Sequence, residues 1–381
     1  MPDTQPYKFS FYRNAGSLRG GGRFWQTMCD EWAKSPDYDP AEFTVAYLNI
    51  SAPLRVFVRL WLGRKKIVVR VDGVYHEKIS RQAVRSIPNG LLRAGLGMLY
   101  AVCGEREFLS ELFNLFPRNF GILIKVFLSS GVIFQSPFSR RLYSRYISQR
   151  KASWVIVNGF RWSLTAAEFQ LRAALVLNSQ DPIQLITTYD FWRPSKRLED
   201  LVRFVIWCNQ QGRIRVRLTI LGYRGDQHPA NLTLESRSAI ARGDHFAVVA
   251  PFNQIDETIR QEFLSQHFYA TFTYRDNCPN AVIEAMSFGL PVLGVNSGGL
   301  PDIVKDAGIL VASQDADEVH FSSFDHSFDY PAVDFVKVEA ALIAMVKNYP
   351  DYCERTRERF LAELDDKAIA RRYLNVRKDL G

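Results

Sequence analysis

The chain has 381 residues, 47% hydrophobic and 23% charged, with 23 glycines and 17 prolines. At roughly 100–200 residues per domain this predicts two globular domains, and the composition excludes a disordered, collagen-like or disulfide-scaffold protein. The charge is uneven: a net of +12 over residues 1–160 against −4 over the remaining 221 points to an anionic partner for the first half, whether nucleic acid, an anionic membrane surface or a phosphorylated substrate.

In chain order, Tyr7–Tyr12 reads as a strand, Gly20-Gly21-Gly22 as a loop, and Phe24 to about Lys34 as a helix. Phe43–Ile50 and Lys66–Val71 are short, β-branched and apolar, as buried parallel strands are. Asp72-Gly73 closes the second of these. Residues 91–131 are unusually apolar, split at 104–107 and 117–119 into pieces too short to span a bilayer. They read as buried helices or as an amphipathic surface resting on a membrane. Val132–Gln135 and Trp154–Val157 complete a first strand series. After a polar stretch near 177–182 a second series follows: strand Ile183–Thr188, helix Leu198–Asn209, strand Arg215–Leu221, strand Phe246–Val249 and helical spacing over Ile255–Gln266. Then come strand Phe268–Thr273, helix Pro279–Phe288, and strands Val292–Val295 and Ile309–Val311. Val336–Leu380 reads as one or two amphipathic helices. This alternation predicts an α/β chain with parallel sheets and crossover helices. The expected division is a Rossmann-like domain over 1–165, a linker over 166–182, a second Rossmann-like domain over 183–350 and a closing helical segment over 351–381.

Five scattered cysteines, odd in number and without a CxxC pair, read as reduced thiols in a cytoplasmic protein. The six histidines are dispersed, so no metal cluster is expected. The first residues lack the basic-then-apolar layout of a secretion signal. No nucleic-acid motif accompanies the basic charge, so nucleic acid is not an expected partner.

The densest chemical pattern runs from Arg275 to Val304. Asp276 falls in the loop after a strand, and Pro279 suits a first helical position. The free N–H groups at that helix start, near Asn280 and Ala281, make an anion site suited to a phosphate. Glu284 lies one and a half turns further and can face the same cleft as Asp276. A carboxylate accepting both hydrogen bonds of a vicinal diol is how many proteins hold a ribose. Ser297-Gly298-Gly299 is a second tight turn before a second helix start. Each residue has a plain structural alternative: Glu284 as an exposed helix residue, Asp276 as a cap, Lys196 as a solvated charge, the triple glycine and Asp72-Gly73 as turns.

The run Asp276-x7-Glu284, with Ala-Met-Ser-Phe-Gly-Leu-Pro-Val and Gly-Gly-Leu-Pro-Asp-Ile-Val after it, resembles the Glu-x7-Glu signature of family 4 glycosyltransferases. Trp192-Arg-Pro-Ser-Lys196 is similar to that family's Arg…Lys loop, and Leu218–Gly222 to its next strand and glycine. The resemblance implies the GT-B fold, two Rossmann-like domains facing across a cleft, with the acceptor on the first domain, the nucleotide-sugar on the second, and the closing helix packed back on the first. It implies transfer of a hexosyl-type sugar with retention, without a bound metal or other cofactor. Glu284 is then the ribose ligand, and Asp276 stands where the family usually has a Glu contacting the donor sugar, one methylene shorter here. Lys196 and Arg193 neutralise the leaving diphosphate; the family's Arg usually lies farther upstream, nearer the offset of Phe191. Asn280, Ala281, Gly21, Gly22 and Gly222 form the donor-binding backbone. Asp72 occupies the place where many members have a sugar-facing His. The implied acceptor is a glycan or lipid-linked molecule in cell-surface polysaccharide or glycoconjugate synthesis, at the inner membrane face. The alternative is an inactive GT-B scaffold that only binds a sugar nucleotide.

Overall fold

The computed structural model describes the chain except residues 1–7, 13–20, 73–78, 80, 86, 88, 105, 115–118, 145–150, 179–180, 190–193, 224–231, 252–254, 313–329 and 381. It divides into two compact units: Met1–Asn158 with Asp366–Gly381, and Gly159–Ala316 with His326–Asp365.

The first unit contains β1 (Phe9–Phe11), α1 (Gly21–Trp32), β2 (Val45–Asn49), α2 (Leu54–Leu62), β3 (Lys66–Val71), α3 (Arg81–Arg85), α4 (Gly90–Cys103), α5 (Glu107–Phe113), α6 (Phe120–Leu128), β4 (Gly131–Phe134), α7 (Pro137–Ser144) and β5 (Ser153–Val155). Among the described residues its five strands are all parallel and stand in chain order. The side chains of β2 and β3 are buried on both faces, as a covered parallel sheet requires. Leu48, Ile67, Val69 and Val132 meet Phe57 of α2 and Val126 of α6 in one core cluster. Tyr47 lies against Trp32 of α1, ring centroids 5.5 Å apart. The glycines differ from expectation: Gly21 and Gly22 are the first residues of α1 and not a loop.

The second unit contains α8 (Ala166–Ala173), β6 (Ile183–Thr188), α9 (Leu198–Gln211), β7 (Val216–Leu221), α10 (Leu234–Arg242), β8 (Phe246–Val249), α11 (Glu257–Leu264), β9 (Phe268–Thr271), α12 (Asn280–Ser287), β10 (Val292–Asn296), α13 (Leu300–Val304), β11 (Gly308–Ala312), α14 (Phe335–Lys347) and α15 (Tyr349–Glu363). Among the described residues its six parallel strands run β11-β10-β9-β6-β7-β8. The order reverses between β6 and β9, where Leu185 pairs with Phe268. The helix starts follow side-chain chemistry. Thr165 and Glu168 form a reciprocal capping box on α8, and Thr233, Asp256 and Asp334 cap α10, α11 and α14.

The chain's closing segment forms three helices, where one or two were expected. Asn348 separates α14 from α15, whose first turn holds Pro350. A second break at Leu364–Asp365 precedes α16 (Asp366–Asp379). Only α16 belongs to the first unit; α15, placed in the returning segment by the sequence, stays with the second. Among the described residues no helix is long and apolar enough to cross a membrane.

Candidate functional site

In an open parallel sheet a ligand binds beyond the strand C-termini where the strand order reverses, because the two loops there diverge and leave a crevice. In the second unit those loops follow β6 and β9. The first leads to a single 3-10 turn, Pro194–Lys196. Arg197 follows in the left-handed region at φ 55° and opens α9. It is held by Asp200 at 2.8 Å and by the Pro331 carbonyl at 2.7 Å. The second loop leads from β9 through Tyr274–Asp276 to α12. Tyr274 N–H donates to the Ser195 carbonyl at 2.8 Å, which ties the two loops together.

That tie brings Lys196 to Asp276. The ammonium lies 2.5 Å from Asp276 Oδ2, with both side chains a little over a quarter exposed. Asp276 Oδ1 accepts from the Cys278 backbone N–H at 3.1 Å, which turns the chain towards α12. A third loop, after β10, closes on the same residue. Arg275, at φ 51°, donates its N–H to Ser297 Oγ at 2.8 Å. Gly299 N–H donates to the Asp276 carbonyl at 2.8 Å.

Helix α12 starts at Asn280, so Pro279 is the residue before the helix and not its first. Asn280, Ala281 and Glu284 are all half-buried. Asn280 and Glu284 stand one turn apart and share a face of the helix. Tyr269 of β9 lies near Glu284. Its phenol is pushed up to about 12 by burial first, with Glu284 adding to the effect. Its hydroxyl also accepts from Thr188 N–H at the end of β6, at 3.4 Å. Gly222 ends β7, one strand away from the reversal, in the left-handed region at φ 81°, and donates its N–H to Val249. Arg193 lies outside the described residues. The structure therefore assembles Lys196 and Asp276 directly, sets Asn280, Ala281 and Glu284 on the adjoining helix, and keeps Gly222 on the neighbouring strand.

In the first unit, Asp72 follows β3 with its side chain half exposed. The Arg70 guanidinium and Gln135 Nε2 both donate to its Oδ1, the second at 2.6 Å. Arg70 is only 1% exposed; it also donates to Asn158 Oδ1 at 2.5 Å and lies over the Phe24 ring at 4.8 Å. Sequence reasoning passed over Arg70. The signal was present: a lone cation inside the β-branched run Lys66–Val71 must be buried, and a buried cation needs acceptors. Gly21 and Gly22 stand at the start of α1, whose first N–H groups have no partner within the helix.

Residues 184–320 match the family described as Glycosyl transferases group 1, and Lys196, Asp276 and Glu284 fall inside that stretch. No curated protein sequence matches the chain. Among solved structures the chain is similar to Anabaena HepE in complex with UDP, at 13% identity and a TM-score of 0.56, over 88% of this chain and 79% of that one. It is similar to sucrose-phosphate synthase from Thermosynechococcus elongatus, at 17% identity and a TM-score of 0.52, over 96% and 82%. A glycosyltransferase from Rickettsia africae matches at 13% identity and a TM-score of 0.54, over 96% and 83%. At such identities the likeness shows the fold. Residues 184–320 thus carry a glycosyl transferases group 1 domain, within an α/β chain whose two parallel-sheet units match the architecture of GT-B glycosyltransferases.

Proposed function

We propose that the chain is a retaining glycosyltransferase that moves a hexosyl-type sugar from a nucleotide-sugar donor to a hydroxyl of a glycan or lipid-linked acceptor. The observation that carries this reading is the 2.5 Å Lys196–Asp276 pair at the reversal of the second sheet, one loop away from α12 and Glu284. Breaking the anomeric C–O bond leaves its electron pair on the nucleotide diphosphate and positive charge on the sugar. Lys196, with Arg193 and the N–H groups of Asn280 and Ala281, neutralises the diphosphate in this reading. Asp276 contacts the sugar and Glu284 takes the two ribose hydroxyls. Gly222 leaves room for the nucleotide, and Gly21 and Gly22 offer N–H groups to a phosphate. The acceptor oxygen bonds to the anomeric carbon on the face the leaving group departs from, and its proton passes to a phosphate oxygen of the nucleotide. Asp72, held as an acceptor by Arg70 and Gln135, faces the acceptor side. The cationic and amide groups supply the charge, so a divalent ion is not required; turnover that survives a chelator is the expected result. The basic first half suits an anionic membrane, and in this reading the reaction runs on its cytoplasmic face, in surface polysaccharide or glycoconjugate synthesis.

HepE has been solved with UDP and with UDP-glucose, so UDP-sugars head the panel. Nucleotide release from UDP-, GDP-, ADP- and dTDP-sugars, with Glu284→Ala and Lys196→Ala beside the parent protein, tests the reading. Release from one donor that both variants lose supports it. Binding without release from any donor, with or without acceptor, favours the inactive scaffold.

A further inference from the structure

The helices between β3 and β4 show apolar side chains to solvent in stripes. On α4, Leu91, Met98 and Val102 recur at i, i+7 and i+11, and are 88%, 72% and 81% exposed. Gly95 lies on the same stripe with open space around it. The opposite side of α4 is a core face, where Leu96 packs with Val84, Leu109 and Phe113. Helix α2 repeats the design: Leu54, Trp61 and Leu62 face out while Phe57 is buried. Phe127 of α6, the helix packed on α2, is also exposed. Residues 54–127 hold 12 of the 19 exposed large hydrophobic side chains among the described residues. Scattered apolar residues are ordinary on a surface; exposed stripes repeated along one segment are not, and point to an interaction role.

The charge on the same segment selects the partner. Residues 51–130 carry 13 Lys and Arg against 5 Asp and Glu, a net of +8; the other 301 residues balance at 35 of each. The whole net charge of the chain therefore sits on the segment with the exposed stripes. A second copy docking by two-fold symmetry would bring the same +8 against it. An anionic bilayer supplies the opposite charge and an apolar layer beneath it. Arg55 and Arg59 flank the α2 stripe on one side, and Trp61 lies within it. Long cationic side chains reach up to headgroups while their neighbours sink, and Trp favours that boundary.

We propose that the exposed stripes of α2, α4 and α6 seat the first unit on an anionic phospholipid surface, with the apolar side chains in the acyl boundary and the arginines at the headgroups. The inference deepens the reading of a membrane-bound acceptor and rests on it for its purpose. The sedimentation that tests it uses neither donor nor acceptor, so the two fail separately.

The full-length chain is sedimented with vesicles of phosphatidylcholine alone and of an equal mixture of phosphatidylcholine and phosphatidylglycerol. Binding is expected to the mixture only, and to weaken with salt. Met98→Glu together with Val102→Glu removes two inserted side chains and adds two anions, with an expected loss of about tenfold or more in vesicle affinity. Donor turnover without vesicles is expected to be unchanged in the double variant. No binding to the mixture at low salt overturns the proposal, as does equal binding by the double variant. A concentration-dependent dimer that the same variant abolishes assigns the face to a second copy and overturns it too.

Discussion

Gly298 is pressed against Asp276: a Cβ at position 298 would fall 2.5 Å from the Asp276 carbonyl oxygen and 2.8 Å from its nitrogen. Gly298 also stands in the left-handed region at φ 61°. Both its missing side chain and its backbone angle let the turn after β10 close on the loop that carries Asp276. Gly298→Ala must push that loop away, at a cost of about 1–2 kcal/mol in backbone strain before any steric term. We expect a modestly lowered melting temperature and donor turnover reduced by about tenfold or more. Unchanged turnover in a folded variant would show that the position of Asp276 does not matter to the reaction.

Lys196 and Asp276 are partly exposed, so their ion pair contributes little to stability, about 1 kcal/mol or less. In the proposed reaction their effect lies in the chemistry. Lys196→Met should melt near the parent temperature yet lower turnover by about 10²–10³, as loss of one donor to a developing anion does. Asp276→Asn keeps an oxygen for the Cys278 N–H and removes only the charge. A kinetic comparison of the two variants separates the electrostatic part from the loop geometry. A Lys196→Met enzyme at parental speed would remove this residue from the leaving-group site.

Acid should weaken the second unit in two steps. Burial first, and Arg172 second, hold His267 down at about 4, against an ordinary 6.5. Its Nδ1 accepts from Gln184 N–H at 3.2 Å, a bond that protonation at that nitrogen removes. The folded pKa lies below the unfolded one, so the stabilisation is whole above about 6.5 and declines as pH falls towards 4. The Arg260 hydrogen bond, followed by the Thr165 N–H, lowers Glu168 to about 2, against 4.5. Its contribution is whole above 4.5 and is lost between 4.5 and 2. Urea melts across this range should flatten between pH 6.5 and 4 in His267→Gln, and below 4.5 in Glu168→Gln.

Arg172 is buried and gathers four acceptors: the carbonyls of Gln266, Phe263 and Leu264 and the Tyr349 hydroxyl. It closes the C-terminal end of α11 and joins it to α15. Removing such a group strands several buried acceptors, so Arg172→Met should cost about 3–5 kcal/mol. Arg70→Met should act comparably in the first unit, while Asp72→Ala, at a half-exposed position, costs less. Equal denaturation midpoints for all three variants would contradict this.

The strands were legible because buried parallel strands are short β-branched runs, and nearly all lie within two residues of where the sequence puts them. The candidate site at the reversal of the second sheet was legible in part. Proline and glycine mark its loops, and Asp276 and Glu284 stand at a recognisable spacing. What stayed hidden depends on partners distant in sequence. Nothing local says that Ser195 and Tyr274 pair, which is what brings Lys196 to Asp276. Nor does local pattern show Arg70 reaching Asn158 across 88 positions. The triple glycine suggested a loop, yet α1 begins at Gly21, since Gly tolerates a first helical turn. The apolar run over 91–131 left core and surface equally open; only the fold shows α4 to be both.

The last helix carries a further consequence for how the chain is made. The core beneath β2 is completed by α16: Tyr47 Oη donates to the Tyr373 carbonyl at 2.7 Å, and the Trp32 indole N–H to the Ala370 carbonyl at 3.3 Å. Arg377 pairs with Asp37 on the same side. A ribosome finishes β1–β5 more than two hundred residues before it supplies Tyr373. Throughout that interval Trp32 and Tyr47 lack their cover, so the sheet begun first is the one sealed last. A fragment ending at Asn158 inherits that open face permanently, and is expected to aggregate where the full chain does not.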